Sequence, residues 1–140
     1  MGYCKKGVMK GKIAVCVRDR QGQKVAYIGR NLTGQNRYFF YKGYKHDHIF
    51  NLHRADPRKV LILTPSAFDC ALISQTHPNA AALLQGSLSE AQAQLLRDFR
   101  AIHLVHRSPG NIPDRLARYS FVKNTQIIGS LTLDMIRGLV

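Results

Sequence analysis

From Val60 onward, short apolar runs alternate with amphipathic stretches, and this alternation limits the possible folds more than any other feature. Residues 60–64 (VLILT) form an apolar run with no polar face, followed by the turn Pro65-Ser66 and a helical pattern over about 67–77. Further runs at 80–85, 101–106 and 121–128 are predicted strands. Helices are expected over about 87–99 and 113–119 and from Thr132 onward, with Ser87-Leu88-Ser89-Glu90 read as a capping box. Strands buried on both faces and separated by helices imply an α/β fold: a Rossmann-like parallel sheet with helices on both faces.

The first part of the chain has a different period. Residues 12–18 (KIAVCVR) and 24–30 (KVAYIGR) alternate apolar and polar positions around Asp19-Arg20-Gln21-Gly22, which predicts a β-hairpin. A third extended run, RYFFY (37–41), follows, and HIFNLHRA (48–55) reads as a short helix. The change of pattern at Asp56-Pro57 suggests two units: a small basic hairpin-rich subdomain at 1–56 and the α/β unit at 57–140.

Charge follows the same division. Of the 140 residues, 1–60 hold 14 Lys or Arg against 3 Asp, whereas 61–140 hold 7 against 5 acids. A one-signed half that also carries aromatic residues is the footprint of a polyanion partner, most simply nucleic acid. Three separated cysteines, none in a C-x-x-C pair, read as reduced thiols, and no apolar run reaches membrane-spanning length. The expected location is the cytoplasm, with no membrane partner and no cofactor.

Four segments, GYCKKGVMKGKIAVCVRDRQGQKVAYIGR (2–30), RYFFYKGYKHDHIFNLHRA (37–55), LILTPSAFDCALISQTHPNAAALLQGSLSEAQAQLL (61–96) and RLARYSFVKNTQI (115–127), carry a resemblance. In this order they resemble the catalytic core of bacterial primase-type proteins and their phage and plasmid relatives, in which a basic subdomain precedes a TOPRIM domain. The resemblance implies a TOPRIM-like fold, and the family's preceding zinc ribbon has no counterpart here. It also implies two acidic motifs, E-G-x-x-D and D-x-D. Aligned on Phe68-Asp69-Cys70, the glutamate position holds Pro65, the glycine position Ser66, and only Asp69 remains. The D-x-D positions fall on Arg107 and Pro109, or on His106 and Ser108 in a register one residue shifted. Neither register contains a carboxylate.

Mg²⁺ is bound by carboxylate and phosphate oxygens, and phosphoryl transfer relies on it to neutralise charge. An arginine about 4 Å from a divalent ion would repel it by roughly 8 kcal/mol at an effective dielectric of about 20. The expectation is therefore a TOPRIM-like core without catalytic residues, leaning away from an enzyme, in which Asp69 pairs with an arginine. The resemblance implies single-stranded DNA or RNA as partner, contacted by Lys12, Arg18, Arg30, Arg37 and Lys42, with Tyr38 as a stacking residue and Lys5, Lys6, Lys10 and Lys45 extending the patch; the positive charge of Arg107 would itself attract a phosphate. The expected role is accessory to replication or maintenance of a mobile element, or within a larger nucleoprotein complex. The alternatives are a subunit that docks a protein partner through its TOPRIM-like half, and a residual Mg²⁺-dependent primase or nuclease completed by another chain.

Weaker patterns carry less. His46-Asp47-His48 has metal-ligand spacing but lacks a third ligand. His103 and His106, read as a pair on one face of their strand, are expected to be polar replacements in a decayed site. Ser66 lacks the G-x-S-x-G context of a nucleophile.

Overall fold

The computed structural model describes residues 2–3, 5, 12–31, 38–40 and 46–139. Four antiparallel strands open the chain: β1 (Gly2–Tyr3), β2 (Lys12–Arg18), β3 (Lys24–Asn31) and β4 (Tyr38–Phe40), paired in that order. The predicted hairpin is β2–β3. Its turn is closed by Asp19, whose Oδ1 accepts from the backbone N–H groups of Gln21 and Gln23, and by Gly22 at a φ of 83°. Val15 lies opposite Ile28 and both are fully buried, so the apolar alternation of the two strands forms one inner face.

The α/β unit follows. Its strands β5 (Leu61–Thr64), β6 (Ala80–Ala82), β7 (Ala101–His106) and β8 (Phe121–Gln126) form a parallel sheet in the order β6-β5-β7-β8. Helices α1 (Ala67–Ser74) and α4 (Leu133–Arg137) cover one face; α2 (Glu90–Leu96) and α3 (Ile112–Leu116) cover the other. Strand periodicity divides the core accordingly. Ile62, Ala80, Ala82 and Val105 pack with α1 and α4, whereas Leu61, Leu63, Ala81, Leu83, Ile102 and Leu104 pack with α2 and α3. Each fully buried leucine, isoleucine or phenylalanine contributes roughly 1.5–3 kcal/mol.

The two sheets share a core, because Val15, Val17 and Ile28 pack in the same cluster as Ala67, Cys70 and Ile73 of α1. Residues 46–55 also wrap the β6 edge, where Phe50 exchanges backbone hydrogen bonds with Ala82 at 2.8 and 3.0 Å.

Several boundaries differ from those predicted. The short helix expected at 48–55 is a single 3-10 turn, Leu52–Arg54, because Asn51 takes a left-handed φ of 67° while its side chain donates to the Ala80 carbonyl. β6 ends at Ala82 rather than residue 85, since Leu84 is left-handed at φ 70°. The capping box is displaced by two residues: Ser89 is the N-cap, and Gln92 supplies the reciprocal side chain. His103 and His106 are three positions apart in a strand, so they point to opposite faces and do not form a pair.

Candidate functional site

In an open α/β sheet, ligands meet the carboxyl ends of strands where the connections diverge. Here β5 leads outward to β6 on one side and pairs with β7 on the other, so that point lies beyond Thr64 and His106. The turn after β5 contains Pro65 and Ser66. Pro65 accepts from the Leu84 N–H at 2.9 Å, and Ser66 is an extended N-cap whose hydroxyl accepts from the Asp69 N–H. Ser66 therefore opens the helix, and among the described residues no base bonds its hydroxyl. Asp69 falls in the first turn of α1, where a carboxylate is favoured by the helix dipole.

Arg107 is the first residue after β7 and lies on the α1 side of the sheet. Its Nη1 donates to Asp69 Oδ2 at 2.5 Å, and its Nε donates to the Gly129 carbonyl at 3.1 Å. The carboxylate is nearly buried, at 10% side-chain exposure, and the guanidinium is 41% exposed. These two bonds use two of the five guanidinium N–H groups. Arg30 approaches from β3, with its guanidinium 4.3 Å from the centre of the Phe68 ring. The result is a cleft of about 770 Å³ whose wall includes Arg30, Ser66, Asp69, Gln85, Arg107 and Ser130.

Two arginines and one carboxylate that is already ion-paired line the cleft, so its lining has a net positive charge. The Mg²⁺ ion that such a core implies does not fit these residues. Among the described residues no three His, Cys, Asp or Glu side chains converge to hold a metal, and the masked stretches contain no acid in the sequence. Cys70, next to Asp69, is also unreactive: burial first, and the neighbouring carboxylate second, push its thiol up to about 12.

Of the residues expected to contact nucleic acid, the fold brings Arg30 and Arg107 to one cleft. Lys12 projects from the opposite face of the antiparallel sheet, as does Tyr27, which lies opposite Cys16. Arg18 donates to the Gly22 carbonyl at 2.8 Å within the hairpin, and Lys5 is exposed. Tyr38 pairs through its backbone with Arg30, its side chain lying outside the described residues together with Lys6, Lys10, Arg37, Lys42 and Lys45. Pro65 lines the cleft, and Pro109 is exposed outside it. Gln85 and Ser130 carry no sequence motif, because only the segments that follow β6 and β8 bring them to this cleft.

The histidines of β7 have separate roles. His106 is buried among the α2 and α3 residues, and its Nδ1 has no partner among the described residues. His103 bonds the Leu139 carbonyl through Nδ1 at 2.7 Å and Thr125 Oγ1 through Nε2 at 2.6 Å. A carbonyl only accepts, so Nδ1 carries the proton and neutral Nε2 accepts from the threonine hydroxyl. Burial is the main cause that holds the His103 pKa below 6.5, opposed by the Leu139 bond and reinforced by Lys123. Because the folded value lies below the unfolded one, this contribution to stability is complete above the ordinary imidazole range and is lost as pH falls through it. The melting temperature is expected to drop between about pH 7.5 and 5.5, and His103→Gln should flatten that slope. An equal slope in the variant would assign it to other histidines.

No protein-family model matches the chain, and no curated protein matches it in sequence. Solved structures do match in fold. The zinc-binding and RNA polymerase domains of the Aquifex aeolicus primase superpose with a TM-score of 0.71 at 18% identity, covering 90% of this chain and 36% of that one. The E. coli primase catalytic core gives 0.66 at 15% identity, over 92% and 48%. A DnaG primase catalytic domain bound to single-stranded DNA gives 0.65 at 15%, over 91% and 48%. This chain therefore spans about a third to a half of the length of the structures it matches, and its fold is that of the TOPRIM-containing catalytic core of bacterial primases.

Proposed function

We propose that this chain is a non-catalytic protein that binds single-stranded nucleic acid, built on a primase-type core in which the metal site has become an anion-binding cleft. The ion pair between Asp69 and Arg107 carries this reading, since the one carboxylate at the strand ends already has a cationic partner. Residues 1–56 supply most of the positive charge and residues 57–140 the sheet that presents Arg107. Arg30 and Arg107 would hold backbone phosphates in the cleft, with Lys42 and its basic neighbours continuing the track and Tyr38 stacking on a base, while Lys12, on the opposite sheet face, lies off this path. The single-stranded DNA bound to a solved DnaG catalytic domain of the same fold supports this choice of ligand. The cellular role follows as accessory to replication or maintenance of a mobile element, or as a component of a nucleoprotein complex.

Fluorescence anisotropy with labelled oligothymidylate and oligouridylate tests the reading. Affinity should fall linearly with salt on a log–log plot, with a slope of about −3 for four neutralised phosphates, and EDTA should leave it unchanged. Loss of binding in EDTA would overturn the metal-free assignment. So would Mg²⁺-dependent primer synthesis or strand cleavage that Asp69→Asn abolishes.

A further inference from the structure

The opposite end of the parallel sheet carries a second cleft, unlike the first in chemistry. Ile62, His103 and Lys123 form a cross-strand row on the face covered by α1 and α4. One row below, Val60 and Phe121 flank Ala101 by the same register. Both helices end before reaching these rows. The His77 ring that follows α1 bonds the Ile136 carbonyl of α4 at 2.8 Å, and Leu139 closes the upper wall. Below them lies an open cleft of about 530 Å³ with Phe121 85% exposed and Val60 54% exposed at its mouth.

The walls have little unused polarity. Both His103 nitrogens are engaged, and Asn79 donates to the carbonyls of Asp56 and Val60. The charged groups in the lining are Lys59 and Lys123, which make no ion pair among the described residues, and no acid lines the cleft. A phosphate backbone would find the two lysines but would bury its charge against an apolar wall. A second copy would bring the same lysines and another +13 of net charge to the contact.

We propose that this cleft docks an amphipathic helix of a partner protein, with its apolar stripe against Val60 and Phe121, over the buried floor of Ile62 and Leu139, and its flanking carboxylates against Lys59 and Lys123. A parallel-sheet face is ordinarily covered by helices, and a helix here would continue the layer that α1 and α4 begin. The surface is separate from the nucleic-acid cleft, which lies at the other end of the same strands.

The chain contains no tryptophan, so a synthetic Leu/Glu amphipathic helix with one tryptophan on its apolar stripe reports its own burial. Titration with the full chain should give a saturable 1:1 blue shift. Binding should weaken at least about tenfold in Phe121→Ser and in the double variant Lys59→Glu, Lys123→Glu. Lys24→Glu, an exposed residue outside the cleft, should leave it unchanged. Phe121 is exposed, so an unaltered melting curve in Phe121→Ser should show that the fold is intact. Equal binding to Phe121→Ser, or equal affinity for the peptide with lysines in place of glutamates, would overturn the proposal. Sedimentation showing a dimer that Phe121→Ser dissolves would overturn it in favour of a second copy.

Discussion

Arg107→Glu is expected to destabilise the fold by about 3 kcal/mol, lowering the melting temperature by roughly 10 °C. The substitution replaces a 2.5 Å ion pair with two carboxylates at the same place, one of them Asp69 with 10% side-chain exposure. It also removes the Nε bond to the Gly129 carbonyl that anchors the segment after β8. Arg107→Ala should cost less, about 1–2 kcal/mol, because Arg107 is half exposed and water reaches the uncovered carboxylate. A double-mutant cycle with Asp69→Ala and Arg107→Ala isolates the pair and should give a coupling of about 1 kcal/mol or more. A coupling near zero would mean that the two charges are neighbours without mutual stabilisation. The same variants connect stability to function, since Arg107→Ala should weaken binding to single strands and reduce the salt slope by about 0.7.

Gln92→Leu should cost about 3 kcal/mol, although leucine nearly matches glutamine in size. Gln92 is fully buried in α2, and its side chain makes four hydrogen bonds. Nε2 donates to the carbonyls of His48 and Leu83, while Oε1 accepts from the Ser89 N–H and from Gln85 Nε2. Leucine would leave these donors and acceptors without a partner, some of them away from water, at about 1–3 kcal/mol for each buried group. Urea unfolding measures the loss. A cost below about 1 kcal/mol would show that water or a shift of residues 46–48 satisfies them. Ser89 depends on the same residue: its hydroxyl accepts from the Gln92 N–H and donates to the His46 carbonyl, so this one helix start ties the wrapping segment to the sheet.

What could be read in advance depended on how local the determining physics is. The strand at 101–106 is legible to the residue, because it contains no turn residue and Ser108-Pro109-Gly110 follow it. Thr132 was predicted to start the last helix, and its hydroxyl does accept from the Met135 N–H. Expectations slipped where a tertiary contact selected a backbone state. Ser87 and Ser89 both precede acceptable capping partners, and the bonds of Gln92 to Leu83 and His48 select the second. Asn51 turns left-handed while it bonds β6, which converts an expected helix to one turn. At Asp56, next to the change of pattern, the chain is tied to the parallel sheet, since Asn79 bonds the Asp56 backbone on both sides.

The candidate site divides in the same way. That Pro65, Arg107 and Pro109 are not acids is visible in the chain, and an arginine partner for Asp69 can be expected from it. The identity of that arginine is not visible, because residues 38 apart meet only when β5 and β7 become neighbours. Nor does any local pattern bring Arg30 to Phe68, or leave Val60 and Phe121 uncovered at the far end of the sheet.

The sequence by itself determined the alternation of elements, the two-sided parallel sheet, the basic first half and the absence of a carboxylate at Pro65, Arg107 and Pro109. Each is set by period or by residue type along a short stretch. Only the tertiary structure decided which charges neutralise one another and which remain available, because Coulomb energy and burial depend on distances that the order of the strands creates.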